Sequence, residues 1–123
     1  MDQAAILVVD DSSMSVRLFR KLLEHEGYRV TSAHSAGEAR AQLATLHPDL
    51  ILMDIQLPDM NGLDFARELK ANLVLRDIPV VALTAHSLSS DMRKAEQAGC
   101  QGYILKPINP KTFGASVAKY IRR

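Results

Sequence analysis

The chain has a single cysteine, Cys100, among 123 residues. That excludes an internal disulfide and a cysteine-rich metal site, and it makes the reducing cytosol the expected compartment. Long apolar runs are also missing. The longest near the start, Ala4 to Val9, is far too short to cross a membrane and lacks the flanks of a signal peptide. No repeat, low-complexity stretch or linker interrupts the chain. Neither sign of charge dominates, since the formal net charge is +1. Its distribution is uneven: residues 1–86 carry 8 Lys/Arg against 12 Asp/Glu, and residues 87–123 carry 7 against 2. No basic run or interleaved aromatics accompany the basic part, which argues against nucleic acid. A surface that docks an acidic protein partner is the functional reading, and a merely solvated face is the plain one.

What is present is ordinary in bulk, with 47% apolar and 24% charged residues. A chain of this length makes one domain, residues 1–123, with room for a real core. The informative stretch is PDLILMDIQLPDMNG, Pro48 to Gly62. Leu50 to Met53 is a continuous apolar run too short for a helix, which is how a strand buried on both faces reads. It stops at Asp54, and Pro58, Asp59, Asn61 and Gly62 then turn the chain. Taken alone, such an aspartate is a residue that ends a strand and caps a loop.

Four further strands follow the same logic. Ala5 to Val9 ends on Asp10 and Asp11, Arg29 to Ala33 alternates weakly, Pro79 to Leu83 ends at Thr84, and Gly102 to Leu105 ends at Lys106. Helices fill the intervals. Ser12 or Ser13 can cap the first, with Met14, Leu18, Leu22 and Phe19, Leu23 recurring four apart and Gly27 as its C-terminal stop. Ser35 to Glu38 fits a capping box for a helix through Leu43 and Leu46 that Pro48 stops. Leu63, Ala66 and Leu69 mark the third. The fourth, Ser87 to Ala98, is thinly apolar and therefore a candidate for movement. Asn109 and Pro110 open the last, with Phe113, Val117, Tyr120 and Ile121 on one stripe.

Strand and helix alternate five times with short connections, which implies an α/β fold with a parallel sheet covered on both faces. Such sheets bind ligands outside the carboxyl ends of their strands. Four strand ends therefore bring Asp10, Asp11, Asp54, Thr84 and Lys106 to one edge. The second strand brings no such group, as suits an edge strand.

Three carboxylates about 5 Å apart repel by roughly 3 kcal/mol per pair at an effective dielectric near 20. Something positive must sit among them. Lys106 supplies one charge, and a hard divalent cation that keeps several waters, Mg²⁺, is the natural second. No Cys or His stands at these strand ends to suit a softer metal. A carboxylate beside Mg²⁺, a lysine and a hydroxyl is equipped to accept a phosphoryl group. Asp54, at the head of the central strand, is assigned as the nucleophile, and Asp10 and Asp11 as holders of the metal.

With VVDD, PDLILMDIQLPDMNG, PVVALTA and YILKP in place, the whole chain resembles a receiver domain of a two-component response regulator. The resemblance implies a flavodoxin-like three-layer sandwich with sheet order 2-1-3-4-5. It implies that Asp54 takes phosphate from a phosphohistidine on a sensor histidine kinase or histidine phosphotransfer protein. Chemistry would then be limited to the chain's own phosphorylation and dephosphorylation. It further implies that the carbonyl of Gln56 is a fourth Mg²⁺ ligand, that Lys106–Pro107 is cis, and that Thr84 and Tyr103 form a switch pair. Gln56 and His86 fall at positions that tune the lifetime of the acyl phosphate, with Ala85 leaving the approach open to water. The central motif and Thr84-Ala85-His86 most resemble single-domain regulators of chemotaxis and cell-cycle type and receivers of hybrid kinases. Output is expected through the Ser87–Arg122 face, without nucleic acid or membrane.

Two rival readings are open. A phosphohydrolase of the haloacid-dehalogenase type needs a second aspartate two residues after the nucleophile, where this chain has Gln56, an amide that cannot act as a general acid. A pseudo-receiver, a module that no longer takes phosphate, usually lacks an acidic pocket residue or the lysine, and this chain keeps all of them.

Overall fold

The computed structural model describes residues 3–85 and 89–121. Its elements alternate without exception: β1 (Ala5–Val9), α1 (Ser13–His25), β2 (Arg29–Ala33), α2 (Ala36–Leu43), β3 (Leu50–Asp54), α3 (Gly62–Ala71), β4 (Val80–Thr84), α4 (Ser89–Gln97), β5 (Gly102–Leu105) and α5 (Pro110–Ala118). The strands form one parallel sheet in the order β2-β1-β3-β4-β5. This is the expected flavodoxin-like arrangement, with β2 at an edge.

The continuous apolar runs are explained by a core on each face of the sheet. Leu7, Val9, Ile51, Met53, Val80 and Ala82 point to the side covered by α2, α3 and α4. Ile6, Val8, Leu50, Leu52, Val81 and Leu83 point to the side covered by α1 and α5. Alternation along each strand thus feeds two layers rather than one. On the second side Phe19 of α1 stacks on Phe113 of α5, with ring centroids 5.3 Å apart.

Helix ends follow the capping chemistry of their sequence. Ser12 accepts from the Ser15 amide, Ser35 from that of Glu38, and Asn109 from that of Lys111, with Pro110 in the first turn. Gly27, at φ 95°, closes α1 in the left-handed region.

Three expectations need correction. In α1 the inner stripe is Val16, Phe19 and Leu23, whereas Met14 and Leu18 are 82% and 39% exposed. The helix carries two apolar rows, and only its docking against the sheet decides which one is buried. Helix α2 ends at Leu43, and Leu46 lies just beyond the turn at Ala44 and Thr45. Helix α5 ends at Ala118, although Tyr120 and Ile121 still pack on the core from the turn beyond it. Of the expected fourth helix, Ser87 and Leu88 lie outside the described residues, as does Arg122 at the end of the expected output face. Among the described residues no helix is long and apolar enough to cross a membrane.

Candidate phosphoacceptor and metal site at the carboxyl edge of the sheet

Parallel register brings the strand ends together. Val9 pairs with Met53, so the next residues, Asp10 and Asp54, stand side by side, and Asp54 pairs in turn with Leu83, next to Thr84. Lys106 follows the last residue of β5, and its amide donates to the Thr84 carbonyl at 2.7 Å. The lysine reaches back across the edge. Its Nζ donates to Asp10 Oδ2 at 2.7 Å and to Asp54 Oδ2 at 3.2 Å. The peptide bond from Lys106 to Pro107 is cis, as the motif implied.

Every carboxylate oxygen of this pair has a donor. The Ser12 amide donates to Asp10 Oδ1 and the Gln56 amide to Asp54 Oδ1, each at 2.9 Å. Asp10 is fully buried. A buried carboxylate holds its charge only when so paired. Burial pushes the Asp54 carboxyl above its ordinary pKa and the charge of Asp10 adds to this, against the opposing pull of the Gln56 amide and Lys106. Burial pulls Lys106 downward, but its bonds to Asp10 and Asp54 outweigh that and hold the ammonium above its ordinary value.

Asp11 completes the acidic set. One oxygen from each of Asp10, Asp11 and Asp54 lies within 4.8 Å of the other two. Three anionic oxygens at that spacing, with one of the three residues exposed, fit a hard cation that retains part of its water shell. The set can hold a metal.

The loop after Asp54 is tied down at several points. Asn61 caps α3 by accepting from the Leu63 amide at 2.8 Å, and Gly62 donates to the Ile55 carbonyl at 2.6 Å. Only glycine fits at that approach, because a Cβ on Gly62 would collide with the Asp54 carbonyl oxygen. Asp59 accepts from the Ala36 and Gly37 amides at 3.0 and 2.8 Å, clamping the loop to the start of α2. Those bonds hold its carboxyl below the ordinary range.

A cavity of about 190 Å³ opens on Asp54 and is walled by Gln56, Thr84, Ala85, Lys106 and, from α4, Lys94. The structure therefore brings together Asp10, Asp11, Asp54, Gln56, Thr84 and Lys106. Thr84 is buried at 6% exposure. Tyr103 is not part of this cavity. It is 36% exposed on β5 and lines a separate groove with Pro107, Asn109 and Tyr120. His86 lies outside the described residues. Sequence reasoning missed Lys94, because a lone lysine on a weakly apolar helix carries no signal of where it points.

The comparisons with known proteins agree with this arrangement. The profile of the response regulator receiver domain matches residues 6–118. The chain belongs to that family. A curated relative, the polar-differentiation response regulator DivK of Brucella ovis, is 40% identical over 117 residues, 95% of each chain. Among solved structures, the chemotaxis response regulator CheY4 of Vibrio cholerae superposes with a TM-score of 0.93 at 26% identity, covering 98% of this chain and 100% of that one. The receiver domain of a signal transduction histidine kinase from Syntrophus aciditrophicus reaches 0.86 at 32% identity, covering 95% and 89%. This receiver is thus similar both to proteins named as response regulators and to the receiver domain of a histidine kinase. Its family works in two-component signalling.

Proposed function

We propose that Asp54 is the phosphoacceptor of this receiver, taking a phosphoryl group from a phosphohistidine on a histidine kinase or phosphotransfer protein. The observation that carries the reading is Lys106, whose ammonium bridges Asp10 and Asp54 at 2.7 and 3.2 Å inside an acidic set of three. In the transfer an Asp54 carboxylate oxygen forms the new P–O bond while the P–N bond of the phosphohistidine breaks, its electron pair leaving with the imidazole. The Gln56 amide, at 2.9 Å from Oδ1, orients the attacking carboxylate. Lys106 screens the incoming negative charge, and the Thr84 hydroxyl, on the cavity wall, receives a phosphoryl oxygen. Asp10, Asp11, Asp54 and the Gln56 carbonyl would hold Mg²⁺, which when bound neutralises oxygens of the transferring group.

The donor's approach has a surface to match. Beside the cavity lies a hollow of about 320 Å³ that shares Ala85 and Lys106 with it and is otherwise lined by residues such as Leu18, Pro107 and Ile108. The outward row of α1, Met14 and Leu18, gives a protein donor an apolar footing next to the reacting atoms. The response then leaves through Thr84 and Tyr103 to the surface of α4, β5 and α5, and the Gln56 side chain at the mouth tunes how long the phosphate survives.

Incubation with Mg²⁺ and acetyl phosphate tests this. The intact mass should rise by one phosphate that is stable in acid and labile in base. No gain at all would favour a module that has lost phosphate acceptance, and a phosphate found on a histidine or serine would remove Asp54 as the acceptor.

A further inference from the structure

We propose that Lys94 of α4 is a second phosphoryl-binding cation, pairing with the group on Asp54 and drawing α4 to the site only when that group is present. The inference rests on Asp54 as phosphoacceptor. Lys94 lines the same cavity as Asp54, Thr84 and Lys106, yet it comes from a different element. Among the described residues its side chain has no ion pair or hydrogen bond, whereas the ammonium of Lys106 is already held by Asp10 and Asp54.

Charge counting gives Lys94 a task. Asp10, Asp11 and Asp54 carry three negative charges, which Lys106 and a divalent cation balance. Converting Asp54 into an acyl phosphate replaces one negative charge by about two. One negative charge is then unbalanced in a partly buried cavity, and among the described residues Lys94 is the remaining cation on its wall.

The helix that bears it is suited to respond. Among its described side chains and the residue just beyond its end, only Ala95 and Ala98 are fully buried, so little apolar surface holds α4 in place. Lys106, by contrast, follows a strand of the sheet. An ion pair formed at one end of this packing and absent before phosphorylation biases the position of the helix. A rival role exists, because a lysine in the last turn of α4 also complements the helix dipole. That role is indifferent to the state of Asp54.

The test uses the full chain with Mg²⁺ and beryllofluoride as a mimic of the acyl phosphate. Binding is followed by titration, and the α4 response by amide exchange across residues 92–97. Lys94→Met should weaken beryllofluoride binding roughly three- to fivefold, the size of a partly solvated ion pair. It should also remove more than half of the exchange protection that α4 gains in wild type. Lys94→Arg should restore both. Equal binding and an equal α4 response in Lys94→Met would overturn the proposal, as would a loss of stability that is the same with and without the mimic. Wild type that fails to bind beryllofluoride would overturn the Asp54 assignment as well, whereas binding wild type with an unaltered Met variant overturns this proposal alone.

Discussion

Two aspartates flank the central strand, and they do opposite things. Asp49 precedes β3 and accepts from the Ala5 amide at 2.8 Å, while its own amide donates to the Ala5 carbonyl at 2.7 Å. It satisfies the first backbone group of β1 and so starts the β1–β3 pairing. Asp54 ends the same strand in contact with a lysine and within 4.8 Å of two other carboxylates. At the amino edge one carboxylate meets one donor. At the carboxyl edge two of three clustered carboxylates share one lysine, and a group that binds protons, metal or phosphate can change the balance. The first arrangement is complete, while the second leaves charge uncompensated.

The largest effect that separates the two is chemical. With Mg²⁺ and acetyl phosphate, Asp54→Asn should gain no phosphate, while Asp49→Ala should gain one as wild type does. Intact-mass spectra of the three proteins decide it, and phosphate persisting in Asp54→Asn would remove that residue from the reaction.

Next in size is the removal of the shared cation. Lys106→Met leaves Asp10 buried without its partner, which should cost roughly 2–4 kcal/mol when one member of a mostly buried pair is lost. Chemical denaturation in chelator measures this. Added Mg²⁺ should recover part of the loss, because a ligand that binds only the folded state stabilises it. A variant as stable as wild type in chelator would mean that Lys106 does not carry the compensation assigned to it.

At the amino edge the expected cost is smaller. Asp49→Ala removes a charged acceptor from the partly buried Ala5 amide, and about 1–2 kcal/mol should be lost. Mg²⁺ should stabilise this variant by as much as it stabilises wild type. A magnesium response that differed would couple the two edges and blur the contrast.

Much of this contrast could be read before any coordinates. The strands were legible because a run such as Leu50 to Met53, buried on both faces, has no polar interruption. The site was legible because a parallel sheet sends every carboxyl end to one edge, so residues as distant in sequence as Asp10 and Lys106 had to meet there. What stayed hidden depends on rotation about an axis. In α1 the rows Met14–Leu18 and Phe19–Leu23 are equally apolar, and only docking of the helix against the sheet, with Phe19 stacked on Phe113 of α5, chooses between them. The cavity-facing side of α4 has no apolar stripe to reveal it, so Lys94 was invisible. Asp49 gave no sign of its role either, since a loop aspartate reads alike whether it meets an amide or water.

The smallest predicted effect has an unusual sign. Burial, aided by Asp10, raises the Asp54 carboxyl above its ordinary value, so its ionisation opposes folding. In strong acid the group is protonated in both the folded and the unfolded chain and contributes nothing. As pH rises from the ordinary carboxylate value, about 3.9, toward the raised folded value, the unfolded chain loses its proton first and stability falls. Above the folded value the penalty is complete. A side-chain amide has no such proton to lose, so Asp54→Asn should be more stable than wild type at neutral pH in chelator, by on the order of 1 kcal/mol. That advantage should vanish at low pH, and Mg²⁺ should shrink it at neutral pH by stabilising wild type more. Melting curves of both proteins from strong acid to neutrality, with and without Mg²⁺, measure all three trends. An advantage independent of pH would point to packing instead of charge. A disadvantage at neutral pH would show that Lys106 and the Gln56 amide already compensate Asp54 in full, and the two ends of β3 would then differ in chemistry but not in strain.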